Sequence, residues 1–130
     1  MKIKNFEEFD KVYEGEKETM EILKDAIDNK FECILDYRDP SNHVDNGIRT
    51  IEPYKIGINK QGNTVLRAWM ESGISKTGKV NPELVPGWRL YRIDRIFKVD
   101  VTHSTFTTPR KGYNPDGDKK MDKVLVSASF

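Results

Sequence analysis

One stretch of the chain concentrates side chains able to do chemistry. Gly87-Trp88-Arg89-Leu90-Tyr91-Arg92-Ile93-Asp94-Arg95-Ile96 holds two aromatics, three arginines and one acid. A guanidinium is a flat fork of five donors that matches phosphate, and aromatic faces stack on bases. Basic positions interleaved with aromatics therefore suit a nucleotide or a single strand of nucleic acid. On a strand, Arg89, Tyr91, Ile93 and Arg95 share one face, and Leu90, Arg92, Asp94 and Ile96 share the other. The competing reading is that Arg92 or Arg95 pairs with Asp94 and pins a turn.

Other chemistries find little support. No glycine-rich phosphate loop, HExxH or Gly-x-Ser-x-Gly elbow is present. The run from Gly73 to Gly78 lacks the lysine-plus-hydroxyl ending that a phosphate cradle needs, since Val80 and not a hydroxyl residue follows Lys79. One cysteine and two histidines exclude a disulfide framework and a multi-cysteine zinc site. Cys33 alternates with charged residues and has no neighbouring histidine, so it reads as a small core residue. His43 falls in a turn and His103 at a strand end. Asp116 and Asp118 belong to a Pro-Asp-Gly-Asp turn without the spacing of a calcium loop. No catalytic residue, metal or cofactor is expected, and an enzyme is disfavoured.

The chain of 130 residues is sized for one domain, and thirteen aromatics are available to pack a core. Its apolar runs are too short for a membrane span, and a reducing cytoplasm is the expected compartment. The net charge of +1 hides a gradient. Residues 1–36 carry eleven acids against six lysines, and all seven arginines lie from Arg38 to Arg110. An acidic head on a basic body points to an anionic partner for the body.

Periodicity supplies the elements that must hold these groups. Phe6, Phe9, Val12 and Tyr13 predict a short helix that Gly15 interrupts. Met20, Ile22, Leu23, Ala26 and Ile27 predict a second helix from Glu16 to Lys30. After Lys30 the period falls to two, predicting strands over 31–38, 48–59 and 64–71, with Pro53 marking a bend or edge. Residues 72–87 read as a long loop. Further strands are expected over 88–93, 96–102 and 124–130. The fold class is mainly β with N-terminal helices, in a small barrel or strongly bent sheet of about five antiparallel strands. The domain division is a helical extension over 1–15, a helix-plus-barrel unit over 16–106, and a turn-rich segment with a final strand over 107–130.

Three segments in order carry a family resemblance. They are Ile48-Arg49-Thr50-Ile51-Glu52-Pro53-Tyr54, then Val65-Leu66-Arg67-Ala68-Trp69, then Trp88 through Ile96. Together they resemble the WYL domain over about residues 20–106, with its R-x-(I/V)-x-P, WYL-x-A-(Y/W) and (F/Y)-R-(L/I)-D-R-I strands. The eponymous triplet is degenerate, since Thr64 and Val65 stand where Trp and Tyr are usual, and Trp69 takes part of their place. The winged helix usual upstream is not seen in the short acidic head.

The resemblance implies an Sm-like, SH3-type five-stranded barrel behind a helix, in a bacterial or phage regulatory module. The implied ligand is single-stranded DNA or RNA or a nucleotide, bound on a basic face. The resemblance assigns Arg92 and Arg95 as ligand contacts. Arg49 is read as a contact or as an ion pair with Glu52, Arg67 as an anion fork, and Trp69 as a stacking plate or core filler. Tyr54 reads as a stacking or core ring, Tyr91 as core, and Lys76 and Lys79 as loop residues closing on an anion or simply solvated. The alternative, with structural arginines, is a protein-interaction adaptor or a subunit of a larger nucleic-acid-processing or defence complex, with a second copy of the chain or another protein as partner. The ligand reading requires guanidinium groups that stand together, outward and wettable. Arginines each clasped by a carboxylate leave only the shape assignment.

Overall fold

A computed structural model describes residues 6–74 and 86–130, with side chains from Glu16 onward. Lys76 and Lys79 lie outside the described residues. The chain opens on one helix, α1 (Phe6–Asn29), in place of the two expected. A single glycine costs a helix interior only about 1 kcal/mol relative to alanine, so Gly15 does not break it. Leu23, Ala26 and Ile27, spaced i, i+3, i+4, are fully buried, while Ile22, off that stripe, is exposed. Lys30 ends the helix in the left-handed region, with φ 57°. Its carbonyl accepts from the Phe106 N–H at 3.0 Å, which ties the helix end to the far end of the sheet.

Six antiparallel strands follow: β1 (Phe31–Tyr37), β2 (Gly47–Ile58), β3 (Thr64–Gly73), β4 (Gly87–Arg92), β5 (Ile96–Thr105) and β6 (Lys123–Ser127). Their order is β4-β3-β2-β1-β5, with β6 added on β2. β2 is long enough to serve two neighbours in turn. Residues 47–51 pair with β1 and residues 55–58 with β6. Pro53, which has no N–H to give, falls at this handover.

The sheet is open, which corrects the expected closed five-stranded barrel. β4 and β5 form its two ends, yet only the 3-10 turn Ile93–Arg95 joins them. So short a connection curls the sheet until its ends approach. No ladder joins β4 to β5 among the described residues. Single bonds to the end of β1 hold this corner: the Arg92 N–H at the end of β4 donates to the Tyr37 hydroxyl at 3.1 Å, and the Arg38 N–H donates to the Arg95 carbonyl of the turn at 2.8 Å.

Cys33, Leu35, Ile51, Ile56, Leu66 and Ala68 form the core beneath α1. From Ile51 to Gly57 every residue of β2 is buried, whichever way it points. The cover on the second side is a strap, residues 107–122, between β5 and β6. No described helix is long and apolar enough to cross a membrane.

Candidate anion-binding cleft

Strand register sets the floor of the cleft. Lys55 on β2 pairs with Arg67 on β3, and Arg67 with Leu90 on β4, so the three form one row. Two residues along, Trp69 pairs with Trp88, and strand alternation puts both rows on one side of β3 and β4. The strap roofs this side through four anchors. The Arg110 guanidinium forks onto Glu52 at 3.0 and 2.9 Å and reaches Glu71 at 2.7 Å. The Trp88 indole donates to the Lys111 carbonyl at 2.9 Å. The Lys55 ammonium donates to the carbonyls of Asn114 and Gly117. The Arg67 guanidinium forks onto Asp118 at 2.8 and 3.0 Å.

Sheet and strap enclose a cavity of about 310 Å³, lined chiefly by Lys55, Arg67, Trp88, Tyr113, Asp118 and Lys119. The Trp88 and Tyr113 rings lie near-parallel, with an interplanar angle of 26°. Lys55 is only 1% exposed and pairs with no carboxylate among the described residues. Carbonyl dipoles and the Tyr113 ring, 5.4 Å away, are its partners. Burial pushes the Lys55 ammonium below its ordinary value, with Asp118 opposing that shift. The hydrogen bonds from Arg67 hold the Asp118 carboxyl below the usual carboxylate range. Three cations and one carboxylate therefore face the cavity.

The expected site residues divide between this cleft and elsewhere. Arg67 lines the cavity. Trp69 lies beside it, half-buried, with the Arg110 guanidinium over its ring at 5.3 Å and Trp88 against it edge-on. Tyr54 is fully buried at the centre of a cluster with Trp88, Phe106, Tyr113 and Phe130. Its hydroxyl donates to Glu52 at 3.1 Å and accepts the Arg110 N–H at 3.0 Å, and burial pushes its pKa up. Arg49 is 1% exposed and is held by Asp45, its guanidinium 5.4 Å from both the Tyr37 and Tyr91 rings. Its partner is not Glu52, which Arg110 occupies. Tyr91 is buried, as a core ring should be, and its hydroxyl is pushed up to about 12 by burial.

Arg92 forks onto Asp94 at 2.9 and 2.6 Å, while Arg95 reaches Asp39 at 3.1 Å. Both stand at the β4–β5 turn, apart from the strap cavity's lining residues. With Arg38 on Asp36, at least six of the seven arginines touch a carboxylate among the described residues. The arginines thus do not form the open guanidinium face on which the ligand reading was built.

Lys55, Trp88, Tyr113, Asp118 and Lys119 are cleft residues that the sequence argument did not assign. Lys55 had a signal, as a lone cation inside the apolar run Tyr54 to Ile58. Asp118 does make turn chemistry, accepting the Lys120 N–H at 2.9 Å, and latches Arg67 as well. Nothing in the spacing of Tyr113 and Lys119 announces a site some fifty residues from its floor.

Among solved structures the chain is similar to proteasome accessory factor B/C (PafBC) of Arthrobacter aurescens, with a TM-score of 0.55 and 18% identity. The match covers 74% of this chain and 13% of that one, a small part of its length, and the likeness is one of fold. No protein with curated annotation matches significantly. The family model of the WYL domain matches residues 18–101, from within α1 to within β5, so the strap lies beyond it. That match spans well over half the sequence, and the chain belongs to the WYL domain family.

Proposed function

We propose that this protein is a regulatory, ligand-sensing module that takes a nucleotide-like anion, free or within a single strand of DNA or RNA, in the cleft beneath the strap. The observation that carries this reading is Lys55. A buried ammonium without a carboxylate partner is costly, and an anion entering beside it offsets that cost. The cavity adds Arg67 and Lys119 for phosphate and the Trp88 and Tyr113 rings for a base. Membership of the WYL family supports a regulatory role over a catalytic one. Of the arginines first assigned, Arg67 is the one this reading retains at the cavity. Arg92 and Arg95, at the β4–β5 turn and each on a carboxylate, take no part in it.

The test is a titration of short single-stranded DNA, RNA and mononucleotides at about 50 mM salt, followed through tryptophan fluorescence. For the single strands the logarithm of the affinity is expected to fall linearly with log salt, with a slope of about −0.7 for each phosphate neutralised. Absence of binding by every member of the set overturns the proposal. A second reading, a protein adaptor, is favoured by one observation. Ile34, Ile48 and Phe97 are 39%, 58% and 64% exposed on neighbouring strands β1, β2 and β5. That reading predicts that Ile48→Ser with Phe97→Ser abolishes association while anion binding is absent throughout.

A further inference from the structure

A second cavity, about 220 Å³, adjoins the first and is lined by Asn59, Lys60, Gln61, Leu90, Lys119 and Lys120. Lys119 lines both cavities. Their floors are also continuous, because Leu90 of the second is the cross-strand partner of Arg67 of the first. Lys60, Lys119 and Lys120 are exposed, and none pairs with a carboxylate among the described residues. Among the described residues no acid lines this cavity.

Its walls are held by backbone. The β2–β3 hairpin that presents Lys60 and Gln61 is closed by Asn59, whose side chain accepts the Asn63 N–H at 2.9 Å. The Asn59 carbonyl accepts the Gly62 N–H at 3.0 Å. The turn that presents Lys119 and Lys120 is closed by bonds to Asp118 from the Lys120 and Met121 N–H groups. The Asp122 N–H then donates to the Ile58 carbonyl at 2.8 Å and joins the turn to the base of the hairpin. Three like charges are thus gathered by the backbone around one concavity, against their mutual repulsion. That arrangement fits an anion bridging them, with Leu90 as an apolar wall and the Asn59 and Gln61 amides as hydrogen-bonding groups.

Resting on the cleft reading above, we propose that the second cavity is a phosphate subsite, so that the ligand carries two phosphate groups, one per cavity. The ligand spans the ridge formed by Lys119. Lys119 and Lys120 lie outside the segment matched by the family model, so the strap supplies one wall of the subsite, and Asn59, Lys60, Gln61 and Leu90 within that segment supply the other.

Equilibrium binding to the full chain is compared for thymidine 5′-monophosphate, thymidine 3′,5′-bisphosphate and the dinucleotide pdTpdT. The same series is run with the double variant Lys60→Gln with Lys120→Gln, and with a charge-preserving control, Lys60→Arg with Lys120→Arg. Circular dichroism checks that each is folded. The two-phosphate ligands are expected to bind the native protein at least ~10-fold tighter than the monophosphate. The glutamine variant should lose that gain while its affinity for the monophosphate stays within ~2-fold, and the arginine variant should keep the gain. Equal affinity for one and two phosphates, or a gain that survives in the glutamine variant, overturns the subsite and leaves the cleft reading standing. Failure of all three ligands to bind removes both. Where the gain appears, equal affinity for the bisphosphate and the dinucleotide marks a small nucleotide ligand, and a tighter dinucleotide marks a nucleic-acid chain.

Discussion

Asp118→Asn separates a latch that merely holds the strap from a latch that stands where a ligand phosphate goes. Asparagine keeps the shape and an oxygen to accept the Lys120 N–H, so the turn survives. What goes is the negative end of a two-bond ion pair with Arg67, in which the acid is 10% and the arginine 20% exposed. A charge-assisted pair with that degree of burial contributes on the order of 1–2 kcal/mol, so the variant should unfold at lower urea by that amount. Ligand affinity should move the other way. The cavity's net charge rises from two positive to three. A unit charge ~7 Å from a phosphate, at an effective dielectric of ~40, contributes ~1 kcal/mol, or a five- to tenfold tighter complex. The log-salt slope should steepen as well, since the freed Arg67 fork can neutralise a phosphate. Urea denaturation and fluorescence anisotropy of a labelled oligonucleotide at ~50 mM salt read the two effects. A variant that is folded in the binding buffer yet binds no tighter, or more weakly, refutes the idea that Asp118 and the ligand compete for Arg67.

Arg110→Met should cost about 2 kcal/mol, because Glu52 is left buried without its fork, and Glu52→Gln in the same background should recover part of that loss in a double-mutant cycle. Asp118 and Asp39 are both held below the usual carboxylate range, the first mainly by Arg67 and the second mainly by the Ser41 hydroxyl. Their contribution is complete above the unfolded value of about 3.9 and is lost as pH falls through the lower folded values, so urea midpoints should drop below about pH 4, less steeply in Asp118→Asn. Gly57→Ala places a Cβ 2.5 Å from the Lys123 carbonyl and the Met121 sulfur, which should force β6 off β2 and cost about 1–3 kcal/mol in thermal melts. Cys33, fully buried and with its thiol pushed up to about 12 by burial, should react with Ellman's reagent only after unfolding.

The strands were legible because their signals are local. Phe31 to Tyr37 alternates so regularly that its burial follows its parity, with Cys33, Leu35 and Tyr37 inside. Pro53, expected at a bend or an edge, lies on an interior strand instead of an edge, at an irregularity in the register with β3 where β2 changes its other neighbour. Gly15 misled, because a local propensity of about 1 kcal/mol is small beside the burial of Leu23, Ala26 and Ile27 further along. The barrel's failure to close has no local signal at all, since it depends on how far the sheet coils before β5 reaches β4. The cleft was half visible. Arg67 and Trp69 sat on a matched strand, whereas the strap's contribution comes from long-range pairings such as Lys55 with Gly117 that no spacing encodes.

The arginine-rich strand was the strongest sequence signal for an anion, and the fold answers two of its three arginines, Arg92 and Arg95, with carboxylates. The physical reason lies in the difference between the two basic side chains. A guanidinium presents parallel donors in a fixed plane, so a carboxylate can hold it in one orientation, as Asp94, Asp118 and Glu52 hold Arg92, Arg67 and Arg110. An open sheet whose ends meet without a ladder needs such directional pins. Arg92 and Arg95 provide them at the turn joining its two end strands, with Arg95 reaching back to Asp39 just after β1. An ammonium gives no comparable orientation and stays hydrated, so it is the cheaper group to leave unpaired. Among the described residues Lys60, Lys119 and Lys120 are left so around one concavity, and Lys55 is carried into the neighbouring cavity with no carboxylate bonded to it, the one acid there being held by Arg67. In this chain the arginines fix the shape of the cleft and the lysines supply the charge that an incoming phosphate can still neutralise. Arginine content is therefore a poor guide to the binding face of a small β domain until the carboxylates that answer it have been counted.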